Sequence, residues 1–312
     1  MKNMIFERIN NYMYKCSRKM HKSLITLVFF CALFLCLNIY LNEVKNTNNK
    51  VSAATTIEYD VETITMTLDD EGVFTVSGYG TLTTDFPWKD YADTVTKIVF
   101  DVTEGKKMYA PSNCTRMFFG MVNVIEIDLK SLDTTNVTNM SFMFDSCTKL
   151  KTLDMSNFNT SKVTTLDATF NNCSSLTYLD VSGFDTKNVT AMPNTFHGCK
   201  VLEELDVSNF DTSNVRSFWF TFGDCESLTK LDVSNFDTSN TEYLNGTFSG
   251  CENLIELDVS NFNTEKVIDM SFLFNDCECL TTLNLNKFNT SSVIDMSYMF
   301  SGCISITSLN LK

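Results

Sequence analysis

Histidine, tryptophan and proline are scarce in this chain of 312 residues, at two, two and three copies, and 24 basic residues face 38 acidic ones. Each shortage removes a class of function. Of the two histidines, His21 lies near the N-terminus and His197 far from it, too few for a histidine relay or a histidine-rich metal site. No nucleophile elbow, phosphate-binding glycine loop or zinc motif is present. Carboxylate pairs of the kind a glycosidase uses occur only as copies of a repeated row, so nothing singles out one pair. The chain is therefore read as non-enzymatic. The acidic balance removes nucleic acid as a partner, because phosphate recognition needs a basic footprint.

The chain still has the means to build a core. Hydrophobic residues make up 44% and phenylalanine alone accounts for 26 positions, against only 11 glycines, which excludes a disordered composition. The N-terminus has a different character. Arg18, Lys19 and Lys22 precede an apolar run over 24–41, and Val51-Ser52-Ala53 offers a small-residue cleavage site, the order of an export signal. The run is also near the length that spans a bilayer, so residues 1–53 are read as a signal peptide or an uncleaved signal anchor, the only route to a membrane. Cys36 as a lipidated site is a weak alternative, since small residues are missing before it. Eight of the basic residues but only two of the acidic ones lie in 1–53, which leaves a net charge of −20 on the remainder and favours cations, basic proteins or neutral glycans as partners.

Cysteines expose the organising period. Cys147, Cys173, Cys199, Cys225, Cys251, Cys277 and Cys303 are spaced by 26 residues with no insertion between them. From Met121, seven such units run to Gly302, and residues 303–312 form a partial last one. Gapless repetition at this length is the signature of a solenoid. Within a unit, Leu202, Leu205 and Val207 read L-x-x-L-x-V; the last two share one face of a strand and point inward, which turns Asp206 outward. Stacking identical side chains at about the 4.8 Å strand spacing then builds ladders. One is Leu153, Leu179, Leu205, Leu231, Leu257 and Leu283; another is Phe144, Phe170, Phe196, Phe222, Phe248, Phe274 and Phe300. Irregularly spaced apolar residues such as Phe210, Val215 and Phe218 suggest turns with short helical or extended pieces closing each coil.

The string M-x-x-M-F-x-x-C-x-x-L-x-x-L-D-V-S-N-F-D-T-S-N-V resembles the BspA-like leucine-rich-repeat surface proteins over roughly 95–312, with Phe158, Phe184 and Phe210 where ordinary leucine-rich repeats carry Asn. The resemblance implies a cell-surface or secreted location and adhesin-like binding of host or environmental ligands. The expected fold is a mixed β/α solenoid, a right-handed leucine-rich-repeat stack of about eight coils. Residues 54–94 form an N-terminal β cap, with strands around Asp69-Asp70-Glu71-Gly72 making a hairpin, and 95–120 form a degenerate first coil. The far end carries no polar cap in the sequence given, so a passive spacer assembling end to end through that edge is the rival reading.

Three outward or ambiguous columns could carry chemistry. The cysteine ladder is read as small buried hydrophobes, with inter-rung disulfides geometrically allowed and metal binding disfavoured by one thiol per rung. The acidic row Asp128, Asp154, Asp180, Asp206, Asp232 and Asp258 must be hydrogen-bonded, screened or occupied by cations; satisfaction by Ser156, Ser182, Ser208, Ser234 and Ser260 is the simpler reading, and calcium is the one cofactor considered. Thr134, Thr160, Thr186, Thr212, Thr238, Thr264 and Thr290 follow Asp or Asn and suit turns. Recognition of an extracellular protein or glycan falls to strand-face positions that vary from coil to coil: Lys151, Tyr178, Glu203, Glu204, Lys230 and Glu256, with Tyr178 the best anchor by type.

Overall fold

The computed structural model describes residues 55–57, 59 and 61–310. The expected export segment and its cleavage site lie outside them. The chain divides into two units, Met1–Ala53 and Ala54–Lys312, and the second holds everything described below.

The N-terminal part is a small sheet continuous with the repeats. Strands β1 (Thr55–Ile57), β2 (Ile64–Leu68) and β3 (Val73–Gly78) pair antiparallel in that order, and β4 (Gly80–Thr81) follows. The β2–β3 turn closes where Asp69 Oδ1 accepts the amides of Glu71 and Val73, and Gly72 takes a φ of +82°, a conformation suited to glycine. Strand β3 then pairs parallel with β5 (Lys97–Val102), the first strand of the solenoid, so the cap hands its register directly to the repeats. A short 3-10 helix, Pro87–Tyr91, places Trp88 over the end of the core. Trp88 is fully buried, donates its indole N–H to the Met117 carbonyl at 2.7 Å, and stacks on Phe118 at 5.6 Å. A buried indole with its donor satisfied can cover an apolar edge at no polar cost.

Beyond β6 (Met108–Tyr109), β7 (Glu126–Asp128) and β8 (Leu132–Asp133), the L-x-x-L-x-V segments recur as β9 (Thr152–Asp154), β10 (Tyr178–Asp180), β11 (Thr282–Asn284) and β12 (Ser308–Asn310). Counting β5, the strand position recurs nine times from Lys97 to Asn310. Strands β9–β10 and β11–β12 pair parallel, in register by 26 residues. In the three coils between β10 and β11, the equivalent segments 204–206, 230–232 and 256–258 hold only one isolated bridge, Lys230 to Glu256.

The continuous backbone ladder runs elsewhere. Along the Met-x-x-Met-Phe stretch, every coil donates four amides to the next one; Phe218, Phe220, Phe222 and Asp224 donate to the carbonyls of Tyr243, Asn245, Thr247 and Ser249 at 3.0, 3.0, 3.0 and 2.7 Å. Intervening amides bond three residues back, as Met143 does to Met140. This alternation corrects the expected mixed β/α class: among the described residues the repeats contain no helix, and the solenoid is all-β. The reason is local. Two positions four residues apart take left-handed φ in coil after coil, Phe142 and Ser146 at +58° and +62°, Phe220 and Asp224 at +48° and +52°, Gly246 and Gly250 at +63° and +72°. A left-handed residue at both ends of that segment stops any helical turn from propagating.

Inside, the ladders form. Phe144, Phe170, Phe196, Phe222, Phe248 and Phe274 are fully buried and their rings stack at 5.6–5.9 Å between neighbours. Such pairs add about 0.5–1.5 kcal/mol each beyond their buried area. Phe300 and Cys303 depart from the expected ladder role: both are only half-buried, because no further coil covers them among the described residues. Six of the seven ladder threonines, Thr134 to Thr264, staple one coil to the next, while Thr290 is exposed and makes no such bond among the described residues. Thr160 Oγ1 accepts the Asp185 amide at 2.7 Å and donates to the Asp185 carbonyl at 3.1 Å, satisfying both backbone groups of a residue one coil on.

Candidate functional site

The strand side carries the varying residues. Tyr178, Glu204, Lys230 and Glu256 occupy one column, each exposed and each 26 residues from the next. Lys151 and Glu203 are exposed too, but they stand one residue ahead of that column, so the six make two adjacent columns instead of one row. Backbone bonds between coils are long here, 3.5 Å from the amides of Thr229, Ile255 and Thr281 to the carbonyls of Glu203, Thr229 and Ile255, against 2.8 Å from Thr177 to Lys151. The face is thus paired at Tyr178, loosens through Lys230 and Glu256, and pairs again between Thr282 and Ser308.

Beside these columns runs the acidic row, and its hydrogen bonding is local. Ser156 gives Asp154 Oδ1 both its amide (3.0 Å) and its hydroxyl (2.6 Å), and Ser182, Ser208 and Ser234 repeat the pair of bonds on Asp180, Asp206 and Asp232. Ser260 gives its amide to Asp258, and Lys130 its amide to Asp128. The serine hydroxyl, and then the serine amide, hold the carboxyls of Asp154, Asp206, Asp232 and Asp258 below the usual carboxylate range. One oxygen of each Asp is therefore committed to a turn. Among the described residues no group of three or more His, Cys, Asp or Glu side chains is arranged to hold a metal ion.

The nine described cysteines are free thiols. Along the ladder each thiol donates to a carbonyl of the preceding coil, Cys173 to Phe144 at 3.2 Å and Cys199 to Phe170 at 3.3 Å. Burial pushes the thiols of Cys199 and Cys251 up to about 12. Buried thiols with raised pKa are poor nucleophiles and metal ligands. Cys279, off the ladder, is exposed.

Two further features were not legible as sites. A shallow groove of about 370 Å³ is lined by Lys106, Lys107, Lys130, Asp133, Asn157 and their neighbours, but Lys107 is already paired with Asp133 at 2.7 Å and Lys106 lies over the Tyr79 ring. On the face of the continuous ladder, Trp219 and Tyr243 stand 47% and 39% exposed in coils whose neighbours carry Pro193 or Ala191 at the same positions. Exposure of a tryptophan could not be foreseen from its type, because large aromatics in this sequence are mostly core.

The family described as "Mycoplasma protein of unknown function, DUF285" matches residues 112–231, 177–256 and 217–311, together about two thirds of the chain. No curated protein matches. Among solved structures, a leucine-rich repeat protein from Eubacterium ventriosum is 18% identical, covering 84% of this chain and 87% of that one, with a TM-score of 0.34. A leucine rich cell surface protein from Faecalibacterium prausnitzii is 15% identical, covering 84% and 96%, with a TM-score of 0.25. A chain of the Toll–Spatzle complex of Drosophila is 12% identical, covering 86% of this chain but 42% of that one, with a TM-score of 0.30.

Proposed function

Because the chain belongs to the Mycoplasma DUF285 family, the BspA-like leucine-rich-repeat group its repeats resemble, we propose that it is a surface-displayed, non-catalytic repeat protein that binds an extracellular protein or glycan along its strand side. One observation carries this reading. In the column that runs Glu126, Thr152, Tyr178, Glu204, Lys230, Glu256 the residue changes at almost every coil, while the inward neighbours stay Ile127, Leu153, Leu179, Leu205, Leu231, Leu257. A stack tolerates any outward residue, so chemistry can vary there without disturbing the interior. The loosened backbone between Glu203 and Thr281 leaves those side chains free to adjust to a partner. The surface location is what the resemblance of the repeats to the BspA-like surface proteins implies.

Presenting residues 54–312 to an array of matrix proteins and glycans tests the reading. A retained ligand should be lost when Tyr178→Ala and Lys230→Ala are combined. Full retention by the doubly substituted protein, with its melting temperature unchanged, would show that the strand side is not the binding surface.

A further inference from the structure

The ladder face presents a second surface of different chemistry. Its backbone is fully used, since the amides of Phe218, Phe220, Phe222 and Asp224 all reach the next coil, so a partner must be recognised there by side chains and not by strand addition. Ser217, Tyr243, Asp269 and Asp295 are bridged in one column, and Trp219 lies diagonally across from Tyr243, two residues beyond Ser217. Asp269 Oδ1 accepts the amide and hydroxyl of Ser271 at 2.9 and 2.7 Å, and its second oxygen has no partner among the described residues. The Phe220 ring stands edge-on to Trp219 at 6.3 Å and fills the space over Gly246, where an added Cβ would fall 2.5 Å from the ring.

At the N-terminal end of the same face, in the column of Phe220 beside that of Trp219, the chain covers aromatics with a guanidinium of its own. Positions 116, 142, 168, 194 and 220 are equivalent, and at the N-terminal end the Arg116 guanidinium lies over the Phe142 ring at 5.3 Å and over Phe119 at 5.4 Å. No cation of the described chain lies over Trp219 or Tyr243. Planar guanidinium groups stack on aromatic faces and fork onto carboxylates, and both partners stand side by side here. Arg216 is the one basic residue in the strip, against Glu242, Asp269 and Asp295. Phe142, Phe220 and Phe272 also hold left-handed φ of +58°, +48° and +58° where Gly246 and Asn194 occupy the same position without that strain.

We propose that the strip Trp219–Tyr243–Asp269–Asp295 is a second recognition surface, independent of the strand side, for an arginine-bearing segment of a basic protein. The guanidinium stacks on Trp219 or Tyr243 and donates to the free carboxylate oxygens of Asp269 and Asp295. Polysaccharide stacking on the same rings is the competing occupant.

Titration of the full chain with an octa-arginine peptide, an octa-lysine peptide and dextran tests this, read by calorimetry and by the fluorescence of Trp219, since Trp88 is buried. Octa-arginine should bind more tightly than octa-lysine, and W219A combined with Y243A should weaken it about tenfold, a loss of about 1.4 kcal/mol. D269N should weaken it less, W219F should retain it, and Tyr178→Ala with Lys230→Ala should leave it unchanged. Equal binding of octa-arginine by W219A/Y243A and the native chain overturns the proposal, as does dextran binding that disappears with W219A while octa-arginine binding does not. The strand-side variants fail or succeed separately, so the two surfaces are judged apart.

Discussion

The two long sides of each coil are held by different means. On the strand side, the pattern L-x-x-L-D-V reads as a sheet, yet three successive coils keep a single bridge, between Lys230 and Glu256, and their nearest inter-coil bonds stretch to 3.5 Å. On the opposite Met-Phe side, no strand pattern is visible, yet four amides per coil reach the next in unbroken series. Apolar packing and backbone pairing are thus assigned to different parts of the same 26 residues. Leu205 and its equivalents contribute by burial, whereas Phe196 and its equivalents combine burial, ring stacking and a hydrogen-bonded backbone.

Breaking the Met-Phe side should therefore cost most. Phe196→Ala is expected to lose about 4 kcal/mol in urea unfolding, the middle of the range for a buried aromatic, and Leu205→Ala about 2–3 kcal/mol, because its position is already looser and 7% exposed. A larger loss at Leu205 would reverse the assignment. The corner between the two sides is the next test. Thr160→Val keeps the shape but removes the hydroxyl that satisfies both backbone groups of Asp185, and should cost about 2 kcal/mol for leaving them unpaired. The exposed Thr164, whose hydroxyl bonds only the Thr138 carbonyl at 3.2 Å, serves as the control and should lose well under half as much when changed to Val.

The smallest effect concerns the acidic row. Asp154, Asp206, Asp232 and Asp258 have folded pKa values held down by serine hydroxyls and amides, so they contribute stability that is present above the ordinary Asp pKa of about 3.9 and is lost as pH falls through the depressed folded values. All four are exposed, so solvent screening keeps the contribution small. Replacing Ser156, Ser208, Ser234 and Ser260 together by Ala should lower the melting temperature slightly at pH 7 and flatten the acid limb below pH 4, so that the variant and native profiles converge at low pH. An acid limb that stays as steep would mean that the row's stability comes from elsewhere.

Much of the interior was legible because repetition makes each assignment seven times over. The Leu, Phe and Cys ladders and the outward Asp row with its serine partners follow from which residues recur, whereas the threonines, expected to bond within their own turns, reach the backbone of the next coil instead. The backbone of the Met-Phe side was not legible, and the reason is chemical. Its left-handed position holds Phe142, Ala168, Asn194, Phe220, Gly246, Phe272 and Tyr298, a mixture in which only Asn194 and Gly246 announce the conformation. Expecting short helical pieces there followed from irregular apolar spacing, which turns as well as helices can produce. Trp219 escaped notice for a related reason: solvent exposure depends on which of two adjacent residues the left-handed turn directs inward, and Phe218 took the inner place.

Hydrogen exchange at single-residue resolution compares the two sides most directly. Continuous pairing along the Met-Phe side predicts strong protection for the amides of Phe170, Asn172, Phe196, Gly198, Phe222 and Asp224, and much faster exchange at Leu205, Asp206, Leu231 and Asp232. Equal protection on both sides, or protection concentrated at the Leu-Asp positions, would contradict the account.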